Sequence, residues 1–325
     1  MAQIKEIKTR IKSINNIEKI TKAMEMVAAT KMKKSTDAVL KTRTYANLSW
    51  MTILNIAGSK NNQYGKHQLL TNREQTKNIC IILITANRGL CGSLNTNMIK
   101  KATEIIQRFK NLNKNNIKFI LLGKKGSRVH KMGFEILAEF EKNDTSSAII
   151  EIRPIAKMII DDYLNQKYDR VFVAYTDFVN VITQLPRIKQ IIPVDIKTED
   201  GYLGVVGDDS RLKTDKKYIK EKEGKYLKAE TKDPWLQNAH FDYLFEPNEE
   251  EVLNEMIPRL IEVQLFQTLL ESNASEHSAR MNAMHNATLA ANDLISELTL
   301  FYNKARQAGI TNEIAEISAG ANALQ

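Results

Sequence analysis

The sequence predicts an α/β plus long coiled-coil protein, in which an antiparallel pair of N- and C-terminal helices flanks a central Rossmann-like α/β domain. Three observations predict this class. Both ends show apolar residues in steps of three and four, the two ends carry opposite charge, and short apolar runs alternate with helical patterns between them. We divide the chain into an N-terminal coiled-coil helix (1–58), an α/β domain (77–196), a charged insertion (197–238) and a C-terminal coiled-coil helix with a protruding tip (247–325).

The first 58 residues predict one long helix. No Gly or Pro interrupts them before Gly58, so a helix rising about 1.5 Å per residue would run for roughly 85 Å. A globular core cannot cover such a length, and the helix therefore needs a partner of similar length. Its predicted apolar stripe consists of Ile4, Ile7, Ile11, Ile14, Ile17, Ile20, Met24, Val27 and Met32.

The C-terminal region supplies that partner. Residues 249–324 contain a single Pro, near their start, and two glycines, Gly309 and Gly320. Small residues on the predicted stripe would let the two helices approach closely. The stripe consists of Ala274, His277, Met281, Met284, Thr288, Ala291, Ile295, Leu298, Tyr302 and Ala305.

The charges of the two ends favour pairing with each other. Residues 1–44 hold eleven Lys and Arg against four acids, whereas residues 241–325 hold four against thirteen, giving net charges of +7 and −9. If Gly58 and Pro247 mark the joined ends, residue 1 lies beside about residue 304 by equal helical rise. The last twenty or so residues would then protrude as a single helix.

The central region alternates strand and helix patterns, which predicts a parallel sheet of about 120 residues. We expect strands at 79–85, 117–122 and 170–175, and helices at 97–109, 124–132 and 146–164. The insertion 197–238 differs in composition from the preceding region, with ten Lys and Arg, nine acids and four glycines. This composition is typical of a solvated surface excursion.

Two glycine-bearing turns raise the question of a phosphate site. ITANRGLCGSLN, Ile84–Asn95, follows an apolar run, but no Lys comes after Gly92 until Lys100, and only two glycines are present. A P-loop needs a Lys-Ser/Thr pair there, and a dinucleotide fingerprint needs three glycines. We interpret the stretch as a structural turn in which Ser93 or Asn95 caps the following helix. LLGKKGSR at 121–128 is likewise a basic turn.

The remaining chemistry of the sequence is sparse, and we expect no catalytic residues, cofactor or metal. The five histidines are scattered, and the two cysteines, Cys80 and Cys91, are too few for a disulfide framework. No leader-like segment and no apolar run of 18 residues is present, so we expect no direct membrane insertion. The basic N-terminal helix lacks interleaved aromatic residues, so we expect no nucleic-acid partner.

Three runs in order along the chain resemble the gamma subunit of F-type ATP synthase. They are KITKAMEMVAATKMKKS at 19–35, TANRGLCGSLN at 85–95 and ITNEIAEISAGANA at 310–323. HFDYLFEP at 240–247 and ASEHSARMNAM at 274–284 are also similar to family segments. The resemblance covers nearly the whole chain apart from 197–238.

The resemblance implies a non-catalytic rotor shaft that couples proton flow through the membrane sector to ATP synthesis or hydrolysis. The implied partners are the alpha and beta subunits of the catalytic head, the epsilon subunit and the ring of c subunits. The family places the nucleotide in neighbouring subunits. The implied location is the cytoplasmic face of the cell membrane, as a peripheral part of the complex.

The resemblance also implies positions of subunit contact, carried over residue by residue. They are Lys22, Met24 and Met26 facing the beta levers, Arg280 in a polar catch with beta, and Arg306, Gln307, Thr311 and Glu316 in an upper catch. For Met24 and Met26, packing inside the coiled coil is an equally good interpretation. Polar residues amid small and apolar ones, such as Arg280 and Gln307, favour partner contact.

Departures from the family pattern and rival functions stay open at this point. The insertion 197–238 contains no cysteine, which excludes the thiol switch that chloroplast members carry there. The main alternative is a nucleotide-binding α/β protein with a coiled-coil arm. A coiled-coil adaptor or nucleic-acid arm is a third possibility.

Overall fold

The computed structural model describes residues 2–58, 67–71, 73, 75–109, 113–144, 149–194, 246 and 249–323. The insertion predicted at 197–238 lies outside these residues.

Two very long helices occupy the ends of the chain. Helix α1 runs from Ala2 to Gly58 over 57 residues, and the C-terminal helix α4 runs from Glu249 to Ala323 over 75 residues. At about 1.5 Å per residue they extend for roughly 85 Å and 110 Å. Among the described residues, no helix combines the length and the apolar character needed to cross a membrane.

The seam of α4 follows the predicted stripe. Beyond Ser278, the less exposed side chains include every predicted position from Met281 to Ala305, in alternating steps of three and four. The same rhythm continues to Gly309, and the described side chains after it are exposed. The predicted protruding end therefore begins about one residue past Gly309.

The seam of α1 departs from its predicted stripe. The stripe is right at its start, but Ile17, Ile20 and Val27 are exposed, with Ile20 at 59%. Three successive steps of three between Ile11 and Ile20 each rotate the stripe by about 60° backwards, because a helix turns about 100° per residue. A two-helix seam needs alternating steps of three and four, which add up to seven. The buried α1 positions, spaced by seven, seven and four, fit this rhythm: Thr21, Ala28, Ser35 and Val39.

Side chains of the seam fix the register of the helix pair. The Thr288 hydroxyl donates to the Thr21 hydroxyl at 2.8 Å, and a β-carbon placed on Gly309 would lie 3.5 Å from Ile4. The N-terminal end of α1 therefore lies beyond residue 304, so the predicted pairing was wrong by about one helical turn. It assumed that the helix ends set the register, whereas the interlocked seam side chains set it.

The central sheet has five strands in the order β3-β2-β1-β4-β5. β1, β2, β3 and β4 are mutually parallel, but β5 runs antiparallel to β4, so the sheet is mixed rather than wholly parallel as predicted. The strands are β1 (Ile79–Ile84), β2 (Ile117–Leu122), β3 (Glu135–Phe140), β4 (Arg170–Phe178) and β5 (Gln184–Ile192).

Sequence patterns missed β3 and β5, which lie at the two edges of the sheet. Exposed acids alternate along β3, and β5 carries Pro186 and several polar residues. Edge strands tolerate such residues because one side needs no ladder hydrogen bonds. The three buried strands were found because their apolar runs are continuous.

Helices cover both faces of the sheet and bury its apolar side chains. Helix α2 (Leu94–Arg108) packs Met98 and Ala102 against one face. Helix α3 (Ile149–Leu164) packs on the other face, together with the beginning of α4 around Ile257. The predicted helix at 124–132 is a 3₁₀ segment, Lys124–Met132.

The chain groups into two compact units. The first contains Met1–Met32, Leu90–Gly92 and His277–Gln325, and the second contains Lys33–Gly89 and Ser93–Glu276. The first unit is the helix pair with a short turn. The second holds the sheet, its covering helices and the adjoining parts of the two long helices.

Candidate functional site

The turn Ile84–Asn95 connects β1 to α2, and its side chains close it on itself. Helix α2 begins at Leu94, and Ser93 occupies the cap position without a side-chain capping bond. Asn95 instead accepts a hydrogen bond from the Ala86 amide at 2.9 Å. The predicted cap position is therefore right for Ser93, although its side chain makes no capping bond, and wrong for Asn95, whose side chain binds the Ala86 amide within the turn.

The second glycine-bearing turn is also a structural corner. Gly123 adopts φ +100°, and a β-carbon there would lie 2.3 Å from the Thr85 carbonyl oxygen. The Thr85 hydroxyl donates to the Gly123 carbonyl at 3.0 Å, and the Lys125 amide donates to the Ala86 carbonyl at 3.0 Å. The two turns thus bind each other at the ends of neighbouring strands.

The carboxyl edge of the sheet, where open α/β sheets usually hold ligands, is occupied by the chain itself. Lys142, just after β3, forms an ion pair with Glu276 of α4, and their side chains are 0% and 1% exposed. Asn273 donates to the Asn143 carbonyl at 3.2 Å, and Ser275 donates to the Thr176 carbonyl at 3.1 Å. Polar groups of α4 therefore contact the carboxyl edge of the sheet at the ends of β3 and β4.

Asn87 links the first turn to this polar cluster. Its side-chain amide donates to the Lys142 carbonyl and to the Asp144 carboxylate. The ends of β1 and β3 are thereby bound to the same group of residues that contacts α4. Sequence reasoning missed this cluster, because Lys142 follows an edge strand that the pattern did not reveal.

Thiols and metal ligands offer no reactive centre in the part of the chain that the structure describes. Cys80 and Cys91 are both buried, and burial, with a smaller contribution from Asp162, raises the pKa of the Cys80 thiol. Such a thiol is poorly nucleophilic at neutral pH. No group of His, Cys, Asp and Glu among the described residues could hold a metal ion.

The predicted contact residues of α1 are not alike. Lys22 is exposed and forms an ion pair with Glu25 at 3.1 Å. A hydrogen bond from Lys22, opposed by burial and aided by His285, lowers the pKa of Glu25. Met24 is half-buried, whereas Met26 is 64% exposed, so packing within the helix pair accounts for Met24 better than for Met26.

Arg280 lies half-buried on α4, close to the buried ring of His277. One guanidinium nitrogen lies 3.5 Å from His277 Nδ1. The arginine is therefore held partly in place before any partner binds.

The end of α4 presents an exposed apolar stripe with polar neighbours. Ile310, Ile314 and Ile317 share one face by their spacing, and Ile317 is 73% exposed. By rotation of about 100° per residue, Arg306 flanks this stripe on one side and Gln307 and Thr311 flank it on the other. The Thr311 hydroxyl donates back to the Gln307 carbonyl at 3.0 Å.

Glu316, also exposed, lies on the opposite face of the same helix by its spacing. The four predicted residues of this end therefore do not form a single surface.

The described elements define a fold class with a long antiparallel helix pair and a mixed α/β sheet whose carboxyl edge contacts the chain's own C-terminal helix. A family model described as ATP synthase matches residues 3–324. The ATP synthase gamma chain of Herpetosiphon aurantiacus is 37% identical, with 100% of this chain and 99% of the relative aligned. The ATP synthase gamma chain of Legionella pneumophila strain Paris is 36% identical, with both chains covered completely. This chain belongs to the ATP synthase gamma chain family.

Solved structures share the fold. A chain in the Euglena gracilis mitochondrial ATP synthase OSCP/F1/c-ring structure aligns with a TM-score of 0.62 and 18% identity, covering 99% of this chain and 95% of that one. A chain from the Tetrahymena thermophila mitochondrial ATP synthase central stalk and c-ring aligns with a TM-score of 0.56 and 24% identity, covering 82% and 99%. The resemblance in fold predicted from the sequence is confirmed.

Proposed function

We propose that this chain is the central rotor shaft of an F-type ATP synthase and couples proton flow to ATP synthesis or hydrolysis. The observation that carries the proposal is the helix pair, whose seam ends at Gly309 and leaves an apolar helix end exposed. The alpha and beta subunits of the catalytic head, the epsilon subunit and the c-subunit ring are its partners. The aligned structures, which are named for F1, the central stalk and the c-ring, support the catalytic head and the c-subunit ring as partners.

The shaft itself carries out no chemistry. The filled carboxyl edge of the sheet and the buried thiols support this, since each removes a place where substrate or a nucleophile would be found. The nucleotide binds in neighbouring subunits. The chain works as a peripheral part of the complex at the cytoplasmic face of the cell membrane.

The surface of the helix pair differs from one side to the other, and this difference explains how such a shaft would act on three catalytic sites. The exposed ridge of α1, formed by Ile17, Ile20 and Val27, lies beside a seam that is small and polar. A subunit facing this ridge meets a different surface from one facing α4. Because a ligand shifts a conformational equilibrium only through different contacts with its states, rotation of an uneven shaft would change the state of each beta subunit in turn.

The contact residues divide between two levels of the shaft. Lys22 and Met26 face the beta levers, which the exposure of Met26 supports, and half-buried Met24 belongs to the same level by packing within the helix pair beneath them. Arg280 forms the polar catch with beta, supported by its partly ordered guanidinium. The upper catch comprises Arg306, Gln307, Thr311 and Glu316.

Reconstitution with alpha and beta subunits tests the function. We expect the ATPase activity of the mixture to depend on this chain, and independence would refute the shaft. The same preparations test the rival enzyme, because a nucleotide-binding α/β protein would bind ATP as the isolated chain. Calorimetric titration of the isolated chain with ATP should give no binding heat.

A further inference from the structure

The polar cluster at the carboxyl edge of the sheet joins the ends of two strands, β3 and β4, to one short stretch of α4. Lys142 and Asn143 follow β3, and Thr176 lies near the end of β4. They meet Glu276, Asn273 and Ser275 respectively.

The Lys142–Glu276 pair is the central contact of this cluster. Both side chains are almost completely buried, and the backbone of Lys142 is itself held by the amide of Asn87. A buried ion pair is costly to desolvate, and apolar residues of similar volume are often as stabilising. Stability alone therefore does not explain why charges stand here.

Directionality distinguishes an ion pair from apolar packing. Apolar burial is non-directional, and it opposes displacement through the fit of the packed side chains. A charge-assisted hydrogen bond has a defined length and angle, and it opposes displacement of the helix along or around its axis.

We propose that Lys142 and Glu276 form a torque-bearing anchor that fixes α4 against the α/β sheet. Beyond the anchor, α4 continues as one helix to Ala323. Force applied to the sheet reaches the helix through the apolar packing around Ile257 and through the directional contact at Glu276, which Asn273 and Ser275 support. This inference rests on the rotor function proposed above and assigns positioning residues to it.

The test replaces the pair by apolar residues in the complete ATP synthase reconstituted into vesicles. We expect Lys142→Met combined with Glu276→Leu to fold and assemble, because the pair is removed as a whole. ATP hydrolysis should remain, while ATP-driven acidification of the vesicles per ATP hydrolysed should fall. A purely structural role would lower both in proportion to the amount of complex assembled.

Two further variants make the outcome specific. The exchanged pair, Lys142→Glu with Glu276→Lys, should restore acidification because it restores an ion pair. Glu276→Asp keeps both charges but shortens the acidic side chain by one methylene, so it changes the anchor least. We expect it to lower acidification per ATP hydrolysed by less than the apolar pair does.

A matched control uses an exposed ion pair on the same side of the sheet, Lys124–Glu141, whose side chains are 63% and 73% exposed. Lys124→Gln with Glu141→Gln should leave acidification unchanged.

The anchor proposal would be overturned if the Lys142→Met/Glu276→Leu variant and the Glu276→Asp variant both acidified the vesicles as much per ATP hydrolysed as the wild type. If hydrolysis by the wild-type assembly does not depend on this chain at all, the rotor function fails instead, so the two failures are distinguishable.

Discussion

Gly123 is a residue whose identity the backbone dictates. Its φ of +100° disfavours any side chain, and the Thr85 carbonyl oxygen leaves no room for a β-carbon. We expect Gly123→Ala to lower the free energy of unfolding by about 2 kcal/mol or more, because strain and a backbone clash add. Thermal unfolding of the isolated chain measures this.

Gly89→Ala is the matched control for that substitution. Gly89 has no positive φ, and a β-carbon added there would meet no atom within 4 Å. Its melting temperature should therefore equal that of the wild type, and an equal loss in both variants would contradict the steric explanation.

Asp169 stabilises the amino edge of the sheet, which lies opposite the carboxyl edge with the polar cluster. Its carboxylate accepts from the Lys77 and Asn78 amides at 2.7 and 2.9 Å and pairs with Arg73 at 3.0 Å. Burial opposes the charged form, but these backbone amides and the guanidinium outweigh it and lower the pKa of Asp169. We expect Asp169→Asn to cost about 1–3 kcal/mol of stability at neutral pH, measured by urea unfolding.

The pH dependence of that loss follows from the direction of the shift. Because the folded state lowers the pKa of Asp169, its stabilisation is present above the unfolded pKa of about 3.9 and is lost as the pH falls through the folded value. The stability difference between wild type and Asp169→Asn should therefore shrink below about pH 4. A difference independent of pH would contradict a role for the charge.

At the scale of single elements, α1 shows that an apolar residue on its predicted stripe need not be buried within the chain. Ile20 is exposed although it belongs to the predicted stripe, whereas Val39 is fully buried against Leu270 and Phe178. We expect Ile20→Ser to leave the stability of the isolated chain within about 0.5 kcal/mol of wild type. Its binding to the alpha and beta subunits should weaken, as measured by co-purification.

Val39→Ala serves as the comparison for a seam residue. Removing two buried methyl groups should cost about 2 kcal/mol of stability, including the cavity that remains. If Ile20→Ser destabilised the isolated chain as much, the ridge would belong to the seam after all.

The end of α4 permits a second test at this scale. The described side chains after Gly309, as far as residue 318, are exposed, so removal of residues 310–325 takes away little of the burial that the structure describes. The truncated chain should unfold at the wild-type temperature, while the ATPase activity of its assembly with alpha and beta subunits should fall. A lower melting temperature of the truncated chain would contradict the exposed end.

An element was predicted from the sequence where its apolar residues followed the regular spacing of a helix seam or a buried strand. The α4 stripe was predicted position by position, because its residues alternate steps of three and four as a two-helix seam requires. The α1 stripe was predicted at its start and at Met24 and Met32 but not at Ile17, Ile20 and Val27. Residues such as Thr21 and Ser35 occupy seam positions that hydrophobicity does not mark. The edge strands β3 and β5 lacked the continuous apolar runs that marked β1, β2 and β4.

At the scale of the whole molecule, local patterns determined the fold class. Long uninterrupted helices, opposite end charges and alternating central elements are properties of neighbouring residues, so they are legible along the chain. The same holds for the family resemblance, which rests on short runs in a fixed order. The missing Lys-Ser/Thr pair already argued against a phosphate site in Ile84–Asn95.

Contacts between distant residues required the folded chain. The register that sets Thr21 against Thr288, the corner where Gly123 meets Thr85, and the pairing of Lys142 with Glu276 each join residues far apart in sequence. Their side chains carry no mark of the partner they will meet, because burial, distance and direction arise only when the elements pack. The tertiary structure therefore supplied the seam that ends at Gly309 and the ion pair at the sheet edge, the two features on which the proposed rotor function and its anchor rest.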